Sequence, residues 1–226
     1  MNDLEHQDCD LLMYDSQTRS DDGNLLIKTA HYLHNPQVVL TGEQYLTNAE
    51  VPWVPWLTAF KKEFLVNNEI RFAEGVRFED TDYMLKSILL ASTVIYRPIE
   101  VVCHTINPTS TVHIGNNVQK IAERFMTSTR LYAVIAQYSD SHPTGVAALK
   151  GHYNFRQESL LRTTLWRLKY SDILSIFNKY PYQGEVSTGL LGLATKHPKL
   201  YALLSQIVRP ILTCGIMLRN FIKSRK

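Results

Sequence analysis

Met84, Leu85, Ile88 and Leu89 recur at helical spacing between Tyr83 and Leu90, which predicts a helix with one face committed to a core. Ile70, Phe72, Val76 and Phe78 are the apolar positions of the segment leading into it. Upstream, Cys9 to Asp15 reads as a short buried strand, and Ser20 to Asn24 as a turn in which Gly23 supplies a positive φ. Pro52 and Pro55 exclude a helix interior or a central strand for Val51 to Trp56, leaving an edge strand or an extended loop. Thr93 to Tyr96 and Glu100 to Thr105 read as two short strands parted by Arg97-Pro98. Beyond Thr111 the pattern is helical: Val118 to Tyr138, a break across Ser139 to Gly145, then Phe155 to Tyr180, stopped by Pro181 and Gly184. The expected organisation is an α/β region over 1–112, with a short mixed sheet and helices, followed by an all-helical region over 113–226.

Length and composition change this picture little. With 226 residues, 45% of them hydrophobic, the chain can bury one ordinary core or two small ones. Cys9, Cys103 and Cys214 are far apart and show no C-x-x-C spacing, so zinc or redox chemistry is not indicated and a reducing, cytoplasmic location is expected. The polar, acidic opening MNDLEHQDCD matches neither a secretory signal nor a transit peptide.

Charge adds more. Residues 186–226 contain no Asp or Glu and seven Lys or Arg, so a net +3 for the whole leaves −4 for residues 1–185. Leu200, Leu203, Leu204, Ile207 and Ile211 interleave with those cations. Two readings follow: a basic amphipathic segment lying on an anionic membrane surface, peripheral at the inner face, or helices packed on the protein with their cations in water. Arg209-Pro210 interrupts the apolar stretch, so a span of about 20 residues is not expected. No nucleic-acid reader motif accompanies the charge, and nucleic acid is not expected as a partner.

Candidate chemistry concentrates at Glu79, Asp80 and Asp82, at the start of the first predicted helix. One such residue suffices for a cap, and nearby acids gain about 0.3–1 kcal/mol from the helix dipole. The surplus is either solvated or poised to take a proton from a bound hydroxyl. His31 and His34 share one helical face but lack a third ligand, which makes them surface histidines.

The run W-L-T-A-F-K-K-E-F-L-V-N-N-E-I-R-F-A-E-G-V-R-F-E-D-T-D-Y from Trp56 to Tyr83, with Y-R-P at Tyr96 to Pro98 and H-T-I-N-P-T-S-T at His104 to Thr111, resembles the second half of family 2 glycosyltransferases with the GT-A fold. The likeness covers roughly residues 5–112 and includes Thr41 as the cap of a G-x-x-x-L helix start. It implies an inverting transfer of a sugar from a nucleotide diphosphate donor to the hydroxyl of a glycan acceptor, free or lipid-linked. Asp80 is then the catalytic base, and Glu79 binds the acceptor or supports Asp80. Trp56 is a stacking surface for the acceptor or a core residue, with Trp53 structural. His104 reaches the donor diphosphate or its metal, and Asn107 and Ser110 border the donor site. A divalent ion, Mg or Mn, is implied for the complete enzyme.

Two departures qualify the resemblance. Asp8-Cys9-Asp10 spells D-x-D, but it leads into a strand where the family's metal-binding signature ends one, so it is not expected to hold a metal. The family's βαβ nucleotide-binding first half has no counterpart in these residues, and the chain alone is expected not to bind a nucleotide sugar. The alternative is a catalytically inactive interaction or membrane-docking module.

Overall fold

The computed structural model describes residues 8–20, 23–29, 39–49, 54–105, 117–181, 189–208 and 210. The chain divides into two compact units, Met1–Ile114 with Ala133–Gly151, and Gly115–Tyr132 with His152–Lys226. The α/β class holds: a small mixed sheet with helices is followed by an all-helical region.

In the first unit the sheet is built on β1, Leu11–Arg19, which is longer than the sequence predicts. Leu11 and Met13 are fully buried. β1 turns at Ser20 to Asn24 and pairs antiparallel with β2, Leu25–Thr29. The turn is as expected: Gly23 has φ 85° and its amide donates to the Ser20 carbonyl. Leu11 to Met13 also pair antiparallel with β3, Thr58–Phe60, which is preceded by a 3-10 turn at Pro55–Leu57 and followed by the short helix α2, Lys62–Asn67.

The two strands expected around Arg97-Pro98 are instead one, β4, Val94–Thr105, running parallel to β1. The sheet tolerates Pro98 because the pairing slips there. Met13 faces Tyr96, Asp15 faces Glu100 and Ser16 faces Val102, so the extra β4 residues bulge away from the ladder. A proline without an amide proton can sit in such a bulge at no cost in ladder bonds.

Helix α1, Gly42–Asn48, is capped by Thr41 in a reciprocal box with Gln44. It crosses α3, Glu79–Leu90, so closely that a Cβ on Gly42 would lie 1.6 Å from the Ile88 carbonyl oxygen. The Gly42 amide donates to the Ala91 carbonyl at 2.8 Å. Met84, Leu85, Ile88 and Leu89 of α3 are buried almost completely. Each such side chain contributes roughly 1.5–3 kcal/mol, which fixes the helix rigidly from behind.

α4, Asn117–Gln137, matches the predicted helix to within a residue at each end. The next does not match: α5 spans Pro143–Arg167 and breaks at Leu168-Lys169 before α6, Tyr170–Lys179. Pro143 starts a helix here because the first helical position needs no amide proton. Gly145 is no breaker either. A Cβ there would meet Leu89 at 2.6 Å, so glycine permits close packing on α3.

The helical unit has its own core, in which Ile121, Phe125, Leu161, Leu165, Ile173 and Tyr201 are buried together. α7, Gly189–Lys196, and α8 over 198–208 complete it. The Tyr201 hydroxyl, fully buried, shares a 2.8 Å hydrogen bond with the Thr164 hydroxyl and donates to the Leu161 carbonyl. Among the described residues no helix is long and apolar enough to cross a membrane.

Candidate functional site

α3 begins at Glu79, so Glu79, Asp80 and Asp82 do share its first turn. None of them is the capping residue. That position is Phe78, at φ 58° and ψ 34° with no side-chain cap. A left-handed conformation in a bulky residue costs roughly 1–2 kcal/mol, and such strain is held only where packing around it over-determines the backbone. Glu69 and Gly75, at φ 50° and 69°, turn the approach in the same sense. The Lys86 ammonium, from one helical turn further on, donates to the Glu69 carbonyl at 3.3 Å. Asp80 is half-buried, and the Thr81 hydroxyl donates to its Oδ1 at 3.3 Å.

Tyr83 lies three residues after Asp80 and four after Glu79, on the same side of the helix. Phe72 stacks on its ring in parallel, with centroids 3.9 Å apart, and Phe60 meets it edge-on at 5.3 Å. Burial pushes the Tyr83 phenol up from its ordinary value, so it stays a neutral hydroxyl. Phe72 remains 46% exposed. The sequence pattern counts it only among the apolar residues fixing the approach, whereas it presents an exposed aromatic surface stacked on Tyr83, the residue one helical turn from the acids. A readable signal for this would have been a lone aromatic between Arg71 and Ala73 in a segment with no strand periodicity.

Trp56 and His104, distant in sequence, meet. Trp56 is 44% exposed, which removes it from the core, and its indole stacks on the His104 ring with centroids 5.9 Å apart and planes 10° from parallel. His104 is exposed near the end of β4. Asn107, Ser110, Trp53, His31 and His34 lie outside the described residues.

The carboxylates of Asp10, Asp15 and Glu43 serve the architecture. Asp10 Oδ2 accepts the amides of Ser92 at 2.8 Å and Thr93 at 3.0 Å, tying the start of β1 to the turn after α3. That leaves the Asp8-Cys9-Asp10 sequence as a clamp, with Asp8 paired to Lys61. Asp15, 9% exposed, takes the Tyr96 hydroxyl at 2.8 and 2.9 Å. Beside them Tyr45 is fully buried, and desolvation, with Tyr96 and Asp15 nearby, drives its phenol far above the ordinary range. Glu43 accepts the Gly145 amide at 2.6 Å and contacts His142 Nδ1 at 3.2 Å, so a carboxylate from α1 satisfies the first turn of α5. Among the described residues no three His, Cys, Asp or Glu side chains converge as a metal site.

No protein-family model matches the sequence, and no curated protein matches it. Among solved structures the chain is similar to that of Staphylococcus aureus TarS residues 1–349, a glycosyltransferase, with a TM-score of 0.50 and 13% identity. The likeness takes in 90% of this chain and 59% of that one, so the chain spans little more than half of the structure it matches. At this identity the likeness is one of fold.

Proposed function

We propose that this chain forms the acceptor side of an inverting family 2 glycosyltransferase, with Asp80 as the base. The observation that carries the reading is the first turn of α3: three carboxylates on a helix buried along its other face, with the exposed ring of Phe72 stacked on Tyr83, one turn from Asp80. Within this proposal an acceptor sugar rests against Phe72 or Trp56, whose rings suit its C–H faces, and Glu79 accepts one of its hydroxyls. Asp80 removes the proton of the attacking hydroxyl as that oxygen bonds to the anomeric carbon. The nucleoside diphosphate departs from the opposite face, taking the electron pair of the broken C–O bond, and the configuration inverts. Much of the acceleration comes from holding the two substrates in line.

His104, stacked on Trp56, steadies that indole and presents a ring nitrogen toward the donor, with Asn107 and Ser110 as further donor contacts. A divalent ion belongs to the complete family enzyme, but the described side chains do not form a site for it. The step above uses none.

Sugar transfer by the protein purified from its native host, assayed with a panel of nucleotide sugars, tests the reading. Transfer that survives Asp80→Asn at more than a tenth of the parent rate would refute the assigned base.

A second reading, as a membrane-docking module, is favoured by Leu200, Leu203 and Ile207. They lie at 50%, 46% and 59% exposure along α8, within the acid-free basic stretch. Vesicles containing anionic lipid should sediment the chain, and Leu203→Asp with Ile207→Asp should release it. An acceptor carried on a lipid unites the two readings.

A further inference from the structure

In the helical unit a cavity of about 140 Å³ opens among α4, α5, α6 and the helices that follow. Phe125, Leu161, Phe177 and Ala194 give it apolar walls, and the exposed Asn178 and Pro181 stand at its mouth. Of the polar side chains that line it, Gln157, Thr195, Asn178 and Tyr180, Gln157 is the buried one. Gln157 lines the cavity at 2% exposure, and among the described residues its Nε2 has no hydrogen-bond partner. An amide nitrogen buried without a partner destabilises the fold, so its place on an apolar helix face points to a partner from outside.

Cavity size and chemistry restrict that partner. An apolar cavity of about 150 Å³ accommodates benzene, so this one holds a body of roughly one ring. Aromatic walls at Phe125 and Phe177 favour a flat, apolar body. The oxygen and nitrogen of an amide can exchange places by a half-turn, and a hydroxyl pairs with either.

We propose that the cavity is a binding site for a small molecule of one ring's size, apolar except for a single hydroxyl that pairs with the Gln157 amide. The inference is independent of the sugar-transfer reading, because it uses only residues of the helical unit.

Phenol and toluene, similar in shape and different in that one group, are the probes. Titrated into the full chain and followed by the NMR shifts of the glutamine side-chain amides, phenol saturates at least ten-fold more tightly than toluene and moves the Gln157 resonance. Gln157→Leu reverses the preference, and Ala194→Leu weakens both ligands at least ten-fold by filling the cavity. Toluene binding as tightly as phenol to the parent chain overturns the proposal. So does phenol that never saturates, or whose affinity Gln157→Leu leaves unchanged. The comparison in the parent chain decides the matter even where a variant fails to fold.

Discussion

The two units hold their buried polar groups in different ways. In the α/β unit, carboxylates reach across the sequence to backbone amides and hydroxyls. Asp10 takes Ser92 and Thr93, Asp15 takes Tyr96, and Glu43 takes Gly145 from about a hundred residues away. In the helical unit the described buried polar side chains are neutral: Thr127, Thr164, Tyr201 and Ser205, whose hydroxyls bond within the unit, and Gln157, whose Nε2 has no partner among the described residues. The first arrangement makes position exact, because a charged acceptor fixed by two amides resists displacement. The second is held by packing, and it leaves room for a guest. A rigid α3 start suits catalysis, and a cavity suits binding.

Glycines break the comparison most sharply. Gly42→Ala drives a Cβ into the Ile88 carbonyl, backbone against backbone, and is expected to cost about 3 kcal/mol or more. Urea denaturation should show a markedly lower midpoint, or no cooperative transition for the α/β unit.

Alkaline pH separates the units by their tyrosines. Desolvation raises both Tyr45 and Tyr201, the latter opposed by the Thr164 hydrogen bond. Each folded-state value lies above the unfolded one, so the native state holds more protons. The stability is therefore complete below about pH 10 and declines as the pH rises beyond it, by up to about 1.4 kcal/mol per pH unit for each phenol. Denaturation at pH 8 and pH 11 should show Tyr45→Phe and Tyr201→Phe each making that decline shallower, in the α/β and helical units respectively. An unchanged decline in Tyr45→Phe would show that this phenol ionises freely.

A smaller loss is expected at Glu43→Ala, which strips the Gly145 amide and His142 of their acceptor and should cost about 1–3 kcal/mol. Glu43→Gln, which keeps an oxygen, should restore part of it. Gly151→Ala is the opposite case: nothing lies within 4 Å of the new Cβ, and the residue is inside α5. It should stabilise by about 0.5–1 kcal/mol, read as a raised urea midpoint.

How legible all this is from sequence depends on distance along the chain. The α3 stripe of Met84, Leu85, Ile88 and Leu89, the Thr41 cap and the Gly23 turn are local, and the sequence states each of them. The start of α5 is not, because Pro143 and Gly145 carry the same letters whether they end a helix or begin one under a distant carboxylate. Likewise Pro98 reads as a strand break until the β1 ladder is seen to slip around it. The stack of Trp56 on His104 needed the sheet to bring its members together. Gln157 left one faint trace: it is a polar position in step with Tyr153, Leu160, Leu161 and Thr164 along one helical face.

The most direct measurement compares single-turnover sugar transfer by Asp80→Asn, Asp82→Asn and Glu79→Gln in the protein from its native host. If Asp80 is the base, its variant loses about 10²–10⁴-fold in rate with little change in acceptor affinity, Glu79→Gln weakens the acceptor, and Asp82→Asn stays near the parent. Equal and modest losses across all three would mean that the acids only favour the helix start, and the catalytic account would fall.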